Sequence, residues 1–234
     1  MKISGLQKVT AIDYPGEIAC TIFLHGCNFR CGFCYNPDLV IRKSEGGFSE
    51  EYVLEFLKKR IGKLDAVCIT GGEPLMTLDF NFVKKIKEMG YKIKIDTNGS
   101  FPERLKEIIN LGLVDYIAMD IKGCKKDYLK IINADINLEK IEESIKIIHD
   151  FGNYEFRTTI VGRFHNINSI TSMAEWLNEI CKAKPRMFFL QGFRKAEEGM
   201  IDDDFQNELN IREEFLKELK ENVKNHFEKV EIRI

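Results

Sequence analysis

The chain has 234 residues, 44% of them hydrophobic and 31% charged, with a net charge of −2. That is a soluble globular mixture, long enough for one large α/β domain or two small ones; no linker marks a boundary, and we read residues 1–234 as a single domain. The near-neutral balance gives no electrostatic reason to expect nucleic acid or an anionic membrane as a partner, and no stretch is long and apolar enough to cross a bilayer.

The first eight residues, Met1 to Lys8, lack the apolar core of a secretory signal, so a cytoplasmic setting is expected. The first strand expected is Ile18–Leu24. It leads into His25-Gly26-Cys27-Asn28-Phe29-Arg30-Cys31-Gly32-Phe33-Cys34-Tyr35-Asn36-Pro37. Ala66–Thr70 is the second, followed by Gly71-Gly72-Glu73-Pro74. Phe82, Val83, Ile86 and Met89 recur at helical spacing, with Gly90 as a stop. The strand Ile93–Asp96 runs into Asp96-Thr97-Asn98-Gly99, which could also be a simple Asn-Gly turn. Pro102 opens a helix that Gly112 closes. Tyr116–Asp120 is the next strand, continued by Ile121-Lys122.

Leu138, Ile141, Ile145 and Ile148 mark a helix, as do Ile170, Met173, Ala174, Leu177 and Ile180. The strands Phe156–Val161 and Phe188–Gln191 flank the latter. Ile211, Phe215, Leu216, Leu219 and Val223 form the last apolar stripe. Val230, Ile232 and Ile234 alternate with Glu231 and Arg233, a strand with one wet face that belongs at an edge. Strand–helix alternation of this kind implies a parallel sheet with covering helices, either an open doubly wound sheet or a closed or partial barrel. In both arrangements the loops after the strands' carboxyl ends build the site. The chemically loaded residues fall in those loops.

Seven cysteines are present. Cys20, Cys68 and Cys181 are scattered in apolar surroundings and read as small core hydrophobes, while Cys124 lies in a polar stretch without an evident role. Cys27, Cys31 and Cys34 are clustered. Thiolates select iron–sulfur clusters, zinc or copper(I). A structural zinc or a fully protein-ligated cluster wants four soft ligands, so three leave one coordination position for something else. A zinc site would have to borrow His25 or a remote cysteine, and a redox disulfide would not use a third cysteine. His25, His149, His165 and His226 carry no motif, and His25 reads as a satisfied structural histidine. Arg157, inside a strand, is costly unless paired, and Lys122 beside Asp120 is either a rim ion pair or a ligand contact.

The CxxxCxxC spacing with Phe33 before its last cysteine resembles the signature of the radical S-adenosylmethionine superfamily. Gly71-Gly72-Glu73-Pro74 resembles that superfamily's glycine-rich motif. Ile12-Asp13-Tyr14-Pro15-Gly16, the run Gly26 to Cys31, and Asn36-Pro37 are similar to the glycyl-radical-enzyme activating branch. Within that branch the likeness is to activators of anaerobic ribonucleoside-triphosphate reductase and of pyruvate formate-lyase. The resemblance implies a partial (β/α)6 barrel and a 4Fe–4S cluster on Cys27, Cys31 and Cys34, with S-adenosyl-L-methionine on the open iron. It places Gly71, Gly72 and Glu73 at the ligand's amino group, Phe33 beside adenine, Asp96 near the ribose or a monovalent cation with Asp120 close by, and Lys122 at the carboxylate. Arg157 is a second candidate cation for that carboxylate.

The implied activity is one-electron cleavage of the sulfonium to a 5′-deoxyadenosyl radical. That radical would take hydrogen from a glycine of a partner glycyl-radical enzyme, with flavodoxin or ferredoxin as reductant. The alternatives are a radical enzyme acting on a purine-like small molecule, or an iron–sulfur electron carrier. Two departures stand out: Tyr35 follows the third cysteine where branch members carry histidine, and Gln191-Gly192-Phe193 stands where a late histidine is usual.

Overall fold

A computed structural model describes residues 1–41, 46–196 and 199–234. Its strands are β1 (Ile3–Thr10), β2 (Ala19–Leu24), β3 (Ala66–Gly71), β4 (Lys92–Thr97), β5 (Tyr116–Asp120), β6 (Tyr154–Ile160), β7 (Met187–Gly192) and β8 (Lys229–Arg233). Its α-helices are α1 (Pro37–Val40), α2 (Glu50–Lys58), α3 (Pro74–Thr77), α4 (Phe80–Glu88), α5 (Pro102–Asn110), α6 (Tyr128–Ile132), α7 (Leu138–Phe151), α8 (Ile167–Cys181) and α9 (Glu213–Val223). The strands follow one another in chain order in an eight-stranded sheet. The fold class is therefore α/β, as the alternation of elements implies.

Contacts group into two compact units. The first comprises 1–28, 38–97 and 103–117. In it β1 pairs antiparallel with β2, and β2, β3 and β4 run parallel. The inner strands are clothed on both faces: Ile22, Val67, Ile69, Ile93 and Ile95 have no exposed surface. Such continuous apolar runs are what a covered parallel sheet requires. Ser49 caps α2 through the Tyr52 amide and Asp79 caps α4 through that of Asn81. The second unit comprises 29–37, 98–102 and 118–234. There β6, β7 and β8 run parallel, with α7 and α8 supplying Ile145, Ile148, Met173 and Leu177 to the core. Asn166 and Ser169 form a reciprocal cap at the start of α8.

Two expectations need correction. The strand Ile18–Leu24 is the second, not the first. The stretch Ile3–Thr10 carries Ser4, Gln7 and Lys8 and leaves part of its length wet, so its composition hides an edge strand. Every loaded loop consequently follows a strand one later in the order, the cysteines after β2 and Glu73 after β3. Asp96 lies in β4 as expected, but Thr97 ends that strand and Gly71 ends β3, rather than opening the following turns. The edge position expected for the last strand holds for β8.

Candidate active site

In the first unit, the parallel register sets Leu24 beside Gly71, so the chain leaves both strands at one level. The two emerging loops are stitched by their backbones. The Gly72 N–H donates to the Leu24 carbonyl at 2.9 Å and the Glu73 N–H to the Gly26 carbonyl at 2.7 Å. The Gly26 N–H donates to the Leu39 carbonyl at 2.7 Å. No side chain fits between the loops. A Cβ on Gly72 would lie 1.9 Å from the Gly26 oxygen and 3.1 Å from the Cys27 nitrogen. Gly71 adopts φ +120° and its Cβ would meet the Leu24 backbone at 2.3 Å, so it needs glycine twice over.

Glu73 has no exposed surface. It caps α3, its Oε1 accepting from the Leu75 N–H at 3.0 Å and from the Thr97 hydroxyl at 2.8 Å. Asp96 forms an ion pair with Lys94, a side chain only 2% exposed. A lysine so deeply covered needs this partner, because an unpaired buried ammonium is strongly disfavoured. His25, read from sequence as satisfied, has a buried Nδ1 with no hydrogen-bond partner among the described residues. Its backbone N–H donates to the Lys2 carbonyl at 3.0 Å.

In the second unit, Cys31 is buried and Cys34 half-buried, joined by a turn in which the Cys34 N–H donates to the Cys31 carbonyl. Burial pushes the Cys34 thiol up, against the Asn36 backbone N–H and the field of Lys122. A cation at sulfur would reverse that balance. Phe33 is 3% exposed, with its ring 6.1 Å from Phe164 and 6.0 Å from Phe205. Gly32 lies flat against Phe205, where a Cβ would come within 2.5 Å.

Asp120, at the end of β5, accepts from Lys122 Nζ at 3.0 Å and from Arg157 Nε. Burial alone would raise its carboxyl, but Arg157 and Lys122 outweigh that and hold it well below the carboxylate range. Lys122 is correspondingly held protonated, Asp120 overcoming the opposing effect of burial. Glu155, with a side chain 1% exposed, accepts Arg233 bidentately at 2.9 and 3.0 Å. It also stands 3.9 Å from Arg157.

The loop after β5 is fixed by Ile121 N–H on the Arg157 carbonyl at 2.8 Å and by Thr158 Oγ1 on the Ile121 carbonyl at 2.7 Å. His165 completes it. Its Nδ1 accepts from the Val161 amide, so Nε2 carries the hydrogen and donates to the Lys122 carbonyl at 3.0 Å. The two departures noted in the sequence meet: Tyr35 stacks on Phe193 at 6.2 Å and its hydroxyl accepts from the Arg194 N–H at 2.9 Å.

The remaining cysteines keep to packing. Cys20, Cys68 and Cys181 are buried, and burial pushes each thiol up to about 12. Cys124 is buried too, despite its polar neighbours, with Sγ 3.4 Å from Asp127 Oδ2.

A family model described as the radical SAM superfamily matches residues 21–177. The chain belongs to that superfamily. It is 31% identical to the "Putative glycyl-radical enzyme activating enzyme MJ1227" of Methanocaldococcus jannaschii over 99% of this chain and 95% of that one. It is 24% identical to the pyruvate formate-lyase-activating enzyme of Clostridium pasteurianum over 86% of this chain and 87% of that one. The crystal structure of QueE from Escherichia coli shares the fold, with a TM-score of 0.58 at 14% identity over 99% of this chain and 93% of that chain. This is therefore a radical SAM enzyme related to glycyl-radical-enzyme activating enzymes, with the family's 4Fe–4S cluster and S-adenosylmethionine as cofactors.

The donor set fits those groups. Three thiols lie within eight residues, and a backbone cradle without Cβ atoms stands beside the first of them. Among the described residues no three Cys, His, Asp or Glu side chains converge as ligands of one ion. Sequence reasoning passed over Lys94 and Glu155, gave His165 no motif and met Thr97 only within the Asp96-Thr97-Asn98-Gly99 run; all four support the candidate site residues. Only the apolar strands around Lys94 and Glu155 hinted that their charges were buried.

Proposed function

We propose that this radical SAM enzyme generates a glycyl radical on a partner protein, anaerobic ribonucleotide reductase being one such partner. In this reading Cys27, Cys31 and Cys34 hold the cluster, and a flavodoxin or ferredoxin in the cytoplasm reduces it. When bound, the cluster and S-adenosylmethionine supply a one-electron cleavage that yields the 5′-deoxyadenosyl radical. The chain's own residues bind and orient. Gly71 and Gly72 bring peptide groups close to the ligand, and the buried Glu73 carboxylate offers a charge-assisted acceptor to its ammonium. Lys122 and Arg157, kept cationic around Asp120, receive its carboxylate. Asp96 serves the ribose or a monovalent cation, and Phe33 borders the adenine.

The observation that carries this reading is the Gly26–Glu73 and Leu24–Gly72 stitching, which fixes Cys27 against the loop offered to the ligand. The single domain over residues 1–234 belongs to the same reading. The test is anaerobic reconstitution, followed by iron and sulfide quantitation and assay of 5′-deoxyadenosine under reduction. Addition of a candidate partner should then produce the electron spin resonance doublet of a glycyl radical. Cleavage without that doublet on any glycyl-radical enzyme would favour a small-molecule substrate. A reconstituted cluster that never cleaves S-adenosylmethionine would indicate an electron carrier.

A further inference from the structure

We infer that Lys94 is a built-in counter-cation for Asp96: it supplies from within the chain the positive charge that a bound monovalent ion would otherwise supply, and it leaves Asp96 to the ribose of the ligand. The inference rests on the reading of Asp96 as a site residue, which offers it either duty.

Lys94 and Asp96 stand two residues apart on β4, so both side chains leave the same face of the sheet. The parallel register sets Thr21, Cys68 and Lys94 in one row across β2, β3 and β4. All three are buried. An aliphatic residue is ordinary in such a row, whereas a lysine there gives up its water and needs an anion within reach. Cys68, the adjacent residue, is not that anion, because burial pushes its thiol up to about 12 and it stays neutral. The Asp13 carboxylate accepts from the Thr21 hydroxyl, two strands away from Lys94. Asp96 is the group the ammonium meets, Nζ donating to Oδ1.

The pair is graded in depth. The Asp96 side chain is 16% exposed and that of Lys94 only 2%. Asp96 also lies nearer the carboxyl end of the strand, where ligand loops gather. The carboxylate therefore faces the site and the ammonium backs it. Together the two are neutral. A metal ion drawn to the same carboxylate would meet the ammonium at close range, in surroundings that screen poorly. An ion from solution binds by mass action, whereas a tethered ammonium is in place at every salt concentration.

The test titrates the anaerobically reconstituted full chain with KCl, with tetramethylammonium chloride holding the ionic strength; tetramethylammonium is too bulky for a buried position. Wild type should melt at the same temperature in both salts and bind S-adenosylmethionine equally well by equilibrium dialysis. Lys94→Met keeps most of the stem and removes the charge. In tetramethylammonium it should melt lower than wild type and bind S-adenosylmethionine more weakly. K+ at about ten times its dissociation constant should raise the melting temperature of this variant by roughly 3–6 °C and restore its binding. The double variant Lys94→Met/Asp96→Asn removes both charges, so it should melt above Lys94→Met in tetramethylammonium and ignore K+. Wild type that gains stability or affinity with K+ overturns the inference, since an ion then binds despite Lys94. So does a Lys94→Met that ignores K+, or a double variant no more stable than the single one, which would make Lys94 a packing residue. A Lys94→Met that folds only in KCl supports the inference, and one that folds in neither salt overturns it. Absence of 5′-deoxyadenosine from every reduced sample would overturn the proposed function instead, and the melting comparison would stay readable.

Discussion

Gly72→Ala tests the proposed site with one methyl group. The added Cβ would sit 1.9 Å from the Gly26 oxygen and 2.5 Å from its carbonyl carbon. Real contacts of a Cβ essentially never fall under 3.0 Å, so one backbone must retreat by about 1 Å. Neither neighbour is a flexible side-chain tip, and the Gly26 oxygen is also held by the Glu73 N–H at 2.7 Å. Overpacking of this kind costs about 1–3 kcal/mol of stability. The larger effect falls on chemistry, because Cys27 adjoins the displaced peptide. A 1 Å misplacement can cost on the order of 100-fold in rate. Gly72→Ala should therefore lower 5′-deoxyadenosine formation by roughly that factor, while the chain keeps its far-ultraviolet circular dichroism.

Gly16→Ala is the control. Gly16 sits at φ +77° with nothing within 4 Å, so alanine there should cost about 1 kcal/mol of backbone strain and leave turnover unchanged. Turnover of Gly72→Ala within threefold of wild type, at equal iron content, would refute the claim that the apposed loops set the geometry of cleavage.

Three further outcomes follow from buried polar groups. Thr97→Val removes the 2.8 Å donor to Glu73 Oε1 and should cost about 1–3 kcal/mol in denaturant unfolding, with weaker S-adenosylmethionine binding by equilibrium dialysis. Arg233→Met strips the bidentate partner from Glu155 and should destabilise by about 3 kcal/mol; urea titration reads this directly. His165 is held at about 4 in the folded state, chiefly by burial, against an unfolded value of 6.5. The unfolded chain thus takes up the extra proton between those values. Stability contributed by neutral His165 is complete above pH 6.5 and declines as pH falls, by about 1.4 kcal/mol per unit to roughly 3 kcal/mol at pH 4. Unfolding free energies measured from pH 7 to 4 should show that slope, and His165→Gln should flatten it.

Much of this architecture could be read from the order of residues, for identifiable reasons. Strands such as Ala66–Gly71 are buried along most of their length, so their apolar runs are unbroken. Helices such as α7 and α8 carry wide stripes and clear caps. What escaped notice were elements whose stability comes from neighbours. The strand β1 is a half-wet edge, and α1, α3 and α6 have four or five residues each, too few to repeat a period. The helix α2 was legible and missed: Ser49 followed by two glutamates is an ordinary N-terminal signal. The cysteines, Gly71-Gly72-Glu73 and Lys122 stood out because their residue types are chemically unusual at that spacing. His165 did not, because an imidazole outside any motif acquires its meaning only from what it faces once buried.

The charges of the second unit show why the supporting residues matter as much as the motif. Asp120 alone beside Lys122 would be an ordinary neutral pair, with its ammonium turned toward the carboxylate. Arg157 adds a second cation, so the trio carries a net positive charge suited to an anionic ligand group. An arginine placed there needs compensation from behind, and Glu155 on the same strand provides it. Glu155 would itself be an intolerable buried anion without Arg233, whose guanidinium also lies 3.5 Å over the Phe189 ring. The alternating signs from Arg233 through Glu155, Arg157 and Asp120 to Lys122 give each of these charges an opposite neighbour. The chain of pairs ends on a cation whose backbone carbonyl is held by neutral His165. That coupling gives β8, an edge strand remote in sequence from every motif residue, a direct electrostatic part in shaping the candidate ligand site.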